Sequence, residues 1–255
     1  MIILLSPAKT LDYKTKPSVN ESSLPIFQKQ AESIASEMKK YSAKQISELM
    51  EISMDLAQLN FERYQNWNKD ETLTPLKQAI YAYKGDVYLG LNAYNWEKDK
   101  IDFAQQNLRI LSGLYGYLKP LDLIKPYRLE MGAKVKIKTQ PDLYHFWRNR
   151  ITKAVIEDSE NTNSKLVINL ASMEYSSVID FKKLKLKVVS PQFLDSKNGT
   201  YKMISFFAKK ARGMMASYIC ENKITNAEDI IGFNQDGYMF NPQLSLDDKP
   251  VFTRS

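Results

Sequence analysis

Two lysines sit where a lysine can do more than keep a surface soluble. Lys9 lies in the segment Ser6-Pro7-Ala8-Lys9-Thr10, directly after the apolar run Ile2 to Leu5. Lys209 begins a basic run with Lys210 and Arg212. A lysine amine is a nucleophile toward carbonyl carbon when burial lowers its pKa; otherwise it is a cation that meets phosphate. Glu130, Glu174 and Asp86 are the candidate acid/base groups beside Lys9 and Lys209. Lys84 and Asp86 flank Gly85, which reads as an ion pair or a ligand contact in a tight turn. The run Lys209, Lys210 and Arg212 falls in the first turns of an expected helix. Cations there oppose the usual preference for acids, which favours a face turned toward an anion.

Other chemistry is narrowed by what is scarce. Cys220 is the only cysteine and His145 the only histidine. A disulfide within one chain is impossible, and a His/Cys zinc site is excluded almost as firmly. A carboxylate-only Mg²⁺ site stays open, since such sites need few protein ligands. No cofactor and no metal cluster are expected. His145 lies in an aromatic helix and is expected to be a packed side chain. The formal net charge of +7 favours polyanionic partners as a field effect.

These residues need elements to hold them. Ile2 to Leu5 and Leu166 to Leu170 are continuous apolar runs and read as buried strands. Each ends in small and polar residues, Ser6 to Thr10 and Ala171 to Tyr175. The two ends converge if the strands are neighbours, because α/β sheets bind ligands beyond their strand ends. A strand end with a solvated lysine is the other reading of Lys9. Helices are expected from Pro25 to about Lys40, from Ser42 with its Gln45 capping box, from Pro75 through Tyr83, and over Trp96 to Asn107. Leu108 to Leu111, Val135 to Ile137 and Leu184 to Val189 read as strands, and Asp142 as the cap of another helix. Asn198-Gly199 signals a hairpin turn before the helix that carries Lys209.

Between the first helices, Ile46 to Ala57 reads as two short helices joined by a tight turn, with Ser53 capping the second. The spacing of Leu49, Ile52 and Ala57 resembles the helix-hairpin-helix module that grips a nucleic-acid backbone. Glu51 and Ser53 stand where that module has glycines, and a plain helical hairpin is the alternative. Leu111 to Gly132 packs Ser112, Gly113, Gly116, Pro120, Pro126 and several tyrosines into a short space. It reads as the rigid inner wall of a cleft, with Gly113, Tyr115, Gly116 and Tyr127 in the wall and Arg128 and Glu130 making polar contacts. Ser172 and Tyr175 extend that wall. A buried crossover is the other reading.

The motifs SPAKTLD, YKGDVYLGL, LRILSGLYGYLKPLDLIKPYRLEMG, VINLASMEY, SFFAKKARGMM and GFNQDGYMF occur in this order along the chain. Together they resemble the bacterial YaaA family of peroxide-stress proteins. The resemblance implies an α/β fold with a central mixed sheet wrapped by helices and an N-terminal helix-hairpin-helix-like region at 43–67, within a single domain spanning 1–255. It also implies protection from hydroperoxide, a limit on free iron, and DNA binding through the helix-hairpin-helix and a basic cleft.

Three functions are weighed. The leading one is a DNA-binding stress protein that reads little sequence. Its contacts are expected at Ser6, Lys9, Thr10, Met50, Ile52, Ser53, Lys84, Arg128, Lys209, Lys210 and Arg212, with tyrosines or Trp67 stacking on unpaired bases. The second is an enzyme acting on a nucleobase or damaged nucleotide, lyase- or glycosylase-like, with Lys9 or Lys209 as nucleophile and Glu130 or Glu174 assisting. The third is a non-catalytic adaptor. The apolar run at Met1 to Leu5 is too short for a secretory signal or a membrane span, so a cytoplasmic protein without membrane contact is expected.

Overall fold

In the computed structural model the structure describes residues 1–67 and 75–255. Its centre is a five-stranded sheet in the order β6 (Gly116–Leu118), β5 (Leu108–Ser112), β1 (Ile2–Leu5), β8 (Leu166–Asn169), β9 (Lys187–Val189). β1 pairs in parallel with both β5 and β8, β8 pairs in parallel with β9, and β6 returns antiparallel on β5. This is a mixed sheet with a parallel heart, and its central strands read as unbroken apolar runs because both faces are covered. Every residue of β1 and β5 is buried.

β1 leads toward β5 on one side, while β8 leads to β9 on the other. The chain therefore changes winding direction between β1 and β8, where such sheets leave a crevice beyond the carboxyl ends of the strands. A second sheet of four strands has the order β11 (Thr200–Lys202), β10 (Gln192–Lys197), β13 (Val251–Arg254), β12 (Met239–Phe240). Two short ribbons complete the pairing: β2 (Thr10–Leu11) with β4 (Tyr83–Lys84), and β3 (Lys77–Gln78) with β7 (Leu123–Ile124).

Around the sheet lie α1 (Gln28–Met38), α2 (Ala43–Met50), α3 (Met54–Gln65), α4 (Ala79–Ala82), α5 (Asp86–Leu91), α6 (Lys98–Asn107), α7 (Leu143–Asn161), α8 (Met173–Ser176) and α9 (Ser205–Glu221). Their starts follow the sequence signals. Ser42 and Gln45 form a reciprocal capping box at α2, Ser53 accepts from the Leu56 N–H at α3, and Asp142 accepts from the His145 N–H at α7. Asn198 and Gly199, at φ of 54° and 73°, make the expected turn between β10 and β11. Glu51 occupies the turn between α2 and α3 at φ 52°, and Ser47 Oγ donates to the Ile52 carbonyl at 2.6 Å to close it.

Some elements differ from expectation. The segment from Pro75 is not one helix: Lys77–Gln78 and Tyr83–Lys84 are strand residues, and only Ala79–Ala82 is helical. Short apolar runs do not separate strand from helix by periodicity alone, and here ribbon pairing wins. Val135 to Ile137 forms no strand, because its backbone partners are local: the Val135 N–H donates to the Ala133 carbonyl, and Ile137 bridges to Gln140. His145 is exposed, and its Nδ1 hydrogen-bonds the N-cap residue Asp142, so its ring lies on the outside of the helix instead of packing within the fold. Trp67 is buried against Tyr64 and Tyr115 and cannot stack on a base.

Candidate functional site

The carboxyl end of β1 turns outward at Ser6, and that of β8 at Ala171 and Ser172. Ser6 Oγ accepts from the Ser172 N–H at 2.8 Å and donates to Ser172 Oγ at 3.3 Å. Tyr88 OH donates to the Ser6 carbonyl at 3.2 Å from α5 behind. These bonds stitch the two strand ends into one floor. Above it opens a cleft of about 360 Å³, lined by the 6–10 segment, Lys84 to Val87, Ser172, Glu174, Tyr175, Lys209 and Arg212. Its walls carry four cations (Lys9, Lys84, Lys209 and Arg212) against the carboxylates Asp86 and Glu174.

Each wall is fixed by a distinct device. The β2–β4 ribbon pairs Thr10 with Lys84, which sets Lys84 beside the strand end that carries Lys9. Beyond the ribbon, the buried Lys77 Nζ donates to the carbonyls of Asp12 and Thr15 and to Tyr94 OH, clamping the outgoing chain. The opposite wall is α9, held on α5 by two glycines. A Cβ on Gly213 would lie 1.8 Å from the Val87 carbonyl oxygen, and one on Gly90 would lie 2.0 Å from that of Lys210. Only hydrogen at both positions lets the backbones approach this closely, and the approach brings Lys209 and Arg212 into the same cleft lining as Asp86 and Val87.

Charge is unequally satisfied across the cleft. Lys9 Nζ lies 2.6 Å from Glu130 Oε2, and Arg128 reaches the other oxygen of Glu130 at 3.2 Å. Glu130 is thus a bridge between two cations. Glu174 accepts from the Gly132 N–H at 3.2 Å. Lys210 points away from the cleft and pairs with Asp236, which also holds Arg254. Arg212 is different. Its one recorded polar contact is the Met203 sulfur at 4.0 Å, and among the described residues no carboxylate reaches it. Burial depresses its pKa from the ordinary arginine value, so its charge is poorly solvated and uncompensated.

The sequence-marked residues divide accordingly. Ser6, Lys9, Thr10, Lys84, Asp86, Ser172, Glu174, Tyr175, Lys209 and Arg212 line one cleft, and Arg128 and Glu130 meet its edge through Lys9. Gly113, Tyr115, Gly116 and Tyr127 lie in the core instead. A Cβ on Gly113 would meet the Leu129 carbonyl at 2.5 Å, and Gly116, at φ 71°, packs against Trp147. The close approach these glycines permit is internal, to backbone and indole and not to a ligand. Tyr127 OH bonds Tyr83 OH and Ser112 Oγ, so its polar end is spent in the core as well. Met50, Ile52 and Ser53 sit in the α2–α3 turn, where Met50 is buried and Ser53 is occupied as a cap; none of them lines the cleft.

Thiol and metal chemistry find little here. Burial pushes the Cys220 thiol up to about 12, which leaves almost no thiolate at neutral pH. Among the described residues no group of three or more His, Cys, Asp or Glu side chains is placed to hold a metal ion. Among the described residues no helix is long and apolar enough to cross a membrane.

Compared with known proteins, the chain matches the family model described as "Peroxide stress protein YaaA" over residues 1–244. The chain belongs to this family. Relatives named "UPF0246 protein" from Hahella chejuensis and Polynucleobacter asymbioticus are each 47% identical, over 254 and 255 residues. Both alignments cover 100% of this chain and 99% of the relative. Membership in the YaaA family supports a role in peroxide stress, and it spans both the strand ends and the α9 wall of the cleft.

Proposed function

We propose that this YaaA-family protein binds DNA in the cytoplasm during peroxide stress, gripping backbone phosphates in the cleft with little regard to sequence. One observation carries the reading. Arg212 is a half-buried guanidinium that no acid meets among the described residues, facing a concave site that also holds Lys9, Lys84 and Lys209. A phosphate supplies the missing charge and bidentate acceptors. The α2–α3 hairpin is a secondary backbone contact in this reading, because Glu51 and Asp55 make its turn acidic, whereas in the cleft four cations outnumber the two carboxylates Asp86 and Glu174. Protection against iron-dependent damage then comes from occupying DNA, not from holding iron.

The test is a titration of duplex, single-stranded and branched DNA at several salt concentrations. Affinity is expected to fall steeply with salt. Arg212→Gln with Lys209→Gln should weaken all forms by about 10- to 100-fold and reduce the salt slope by about two. Salt-independent affinity sinks the proposal.

A second reading is favoured by Lys209 itself. It lines the cleft near Glu174 with no salt-bridge partner among the described residues, whereas Lys9 is tied to Glu130. Its amine, once deprotonated, would add to the aldehyde of an abasic site and lose water to form an imine. Borohydride should then trap a covalent adduct with wild type and with Lys9→Ala but not with Lys209→Ala. No adduct on any abasic or damaged DNA argues for binding alone.

A further inference from the structure

Trp67 and the tyrosines of the 111–132 segment are buried and not available for stacking, but other apolar side chains stand exposed at the start of α9 and just before it. Phe206 stands about one turn before Lys209, which stands about one turn before Arg212, so each is the neighbour of the next along a stripe that winds round α9. Phe206 is 54% exposed and Met203, whose sulfur touches Arg212, is 62% exposed. Such exposure is costly for large apolar side chains unless something covers them. The neighbouring Phe207 is less exposed, at 36%, and one face of its ring is occupied by the Arg254 guanidinium 4.3 Å above it. Phe206 packs edge-on to Phe207, with ring centroids 5.5 Å apart, and this braces it without occupying both of its faces. Met173, 82% exposed, stands between the cleft residues Ser172 and Glu174.

We propose that Phe206 and Met203 form a stacking platform for an unpaired nucleobase of a strand whose phosphate lies at Arg212 and Lys209. This rests on the nucleic-acid reading of the cleft and adds which form of nucleic acid it selects. Charge complementarity names the occupant: Met203 meets the Arg212 guanidinium, which no carboxylate reaches among the described residues, and Phe206 lies two turns earlier on the same helix. A ligand pairing a flat apolar ring with an anion one turn away satisfies both. In an intact duplex the bases are stacked on each other and their faces are closed. A single-stranded, bulged or damaged site offers an open face, and an aromatic or methionine wedge is the device that exploits it.

The experiment uses the full chain and a short oligonucleotide carrying a fluorescent purine analogue, either unpaired or within a duplex. Wild type should favour the unpaired form and quench the analogue on binding. Phe206→Ala should cut that preference roughly tenfold and restore the fluorescence, with an unchanged salt slope. Phe206→Trp should keep both properties. Preference and quenching that survive in Phe206→Ala and in Phe206→Ala with Met203→Ala overturn the platform, as does a wild type with no preference. These outcomes leave the cleft reading intact. That reading fails separately if Lys209→Gln with Arg212→Gln binds both forms as wild type does.

Discussion

Arg212 and Lys9 share one cleft yet differ in what surrounds them. Lys9 is mostly exposed and held at 2.6 Å by a carboxylate, whereas Arg212 is half-buried and, among the described residues, has a thioether as its one polar contact. Exposed ion pairs contribute little, so the Lys9–Glu130 contact orients more than it stabilises. Below the cleft, Asp12 is the acid that most clearly depends on pH. Its carboxylate accepts from the Thr15 N–H and hydroxyl and from the Lys14 N–H, and these bonds hold its pKa well below the usual value. A depressed folded pKa gives stability that is present above the unfolded value, about 3.9, and lost as pH falls through the folded one. Asp12→Asn should therefore cost about 1 kcal/mol at neutral pH and soften the loss of stability below about pH 4, as read from urea midpoints over that range. Equal slopes for the two proteins would remove Asp12 from the acid transition.

At the scale of elements, the α5–α9 contact decides where the cleft cations stand. Alanine normally gains about 1 kcal/mol over glycine in a helix. At Gly213 that gain is opposed by a Cβ 1.8 Å from the Val87 oxygen, so the helices must separate. Gly213→Ala should lower the melting temperature by about 5–10 °C and weaken DNA binding, since Lys209 and Arg212 move with α9. Gly199→Ala, in the β10–β11 turn, meets nothing within 4 Å of the new Cβ but keeps a left-handed φ of 73°, so it should cost only the roughly 1–2 kcal/mol of that backbone strain and leave DNA binding unchanged. A Gly213→Ala protein that melts and binds like wild type would show that the crossing tolerates a methyl group.

Elements marked by local chemistry were legible in advance. The capping box at Ser42, the Asp142 cap, the Asn198-Gly199 turn and the β1 and β8 runs all act within a few residues. The Leu111 to Gly132 stretch was harder to read. Gly113 and Gly116 signal close approach, but sequence does not say to what, and the answer lies in Leu129 and Trp147. Phe206 was hidden for the opposite reason, since a phenylalanine is assumed to be core until a fold leaves it outside.

At the scale of the whole molecule, the cleft exists because strands far apart in sequence lie side by side. Ser6 and Ser172 meet only after β1 has paired with β8. From sequence that adjacency was a condition, not a conclusion. The net charge of +7 pointed to a polyanion without saying where. The fold gathers four cations at one strand-end crevice and sends Lys210 elsewhere, to Asp236.

The central place of β1 also bears on how the chain is made. Residues 2–5 are translated long before either strand they pair with, at Leu108 to Ile110 and Val167 to Asn169. At ordinary elongation rates the apolar run waits on the order of ten seconds for its second neighbour. During that interval an IILL segment has no sheet to join, which favours chaperone capture and slow, long-range closure. Refolding from denaturant should accordingly be slow and lose yield as protein concentration rises. A charge placed in the run, as in Ile3→Lys, should abolish folding instead of merely slowing it. Rapid refolding at full yield at every concentration would show that local structure, not the threading of β1 between its partners, sets the pace.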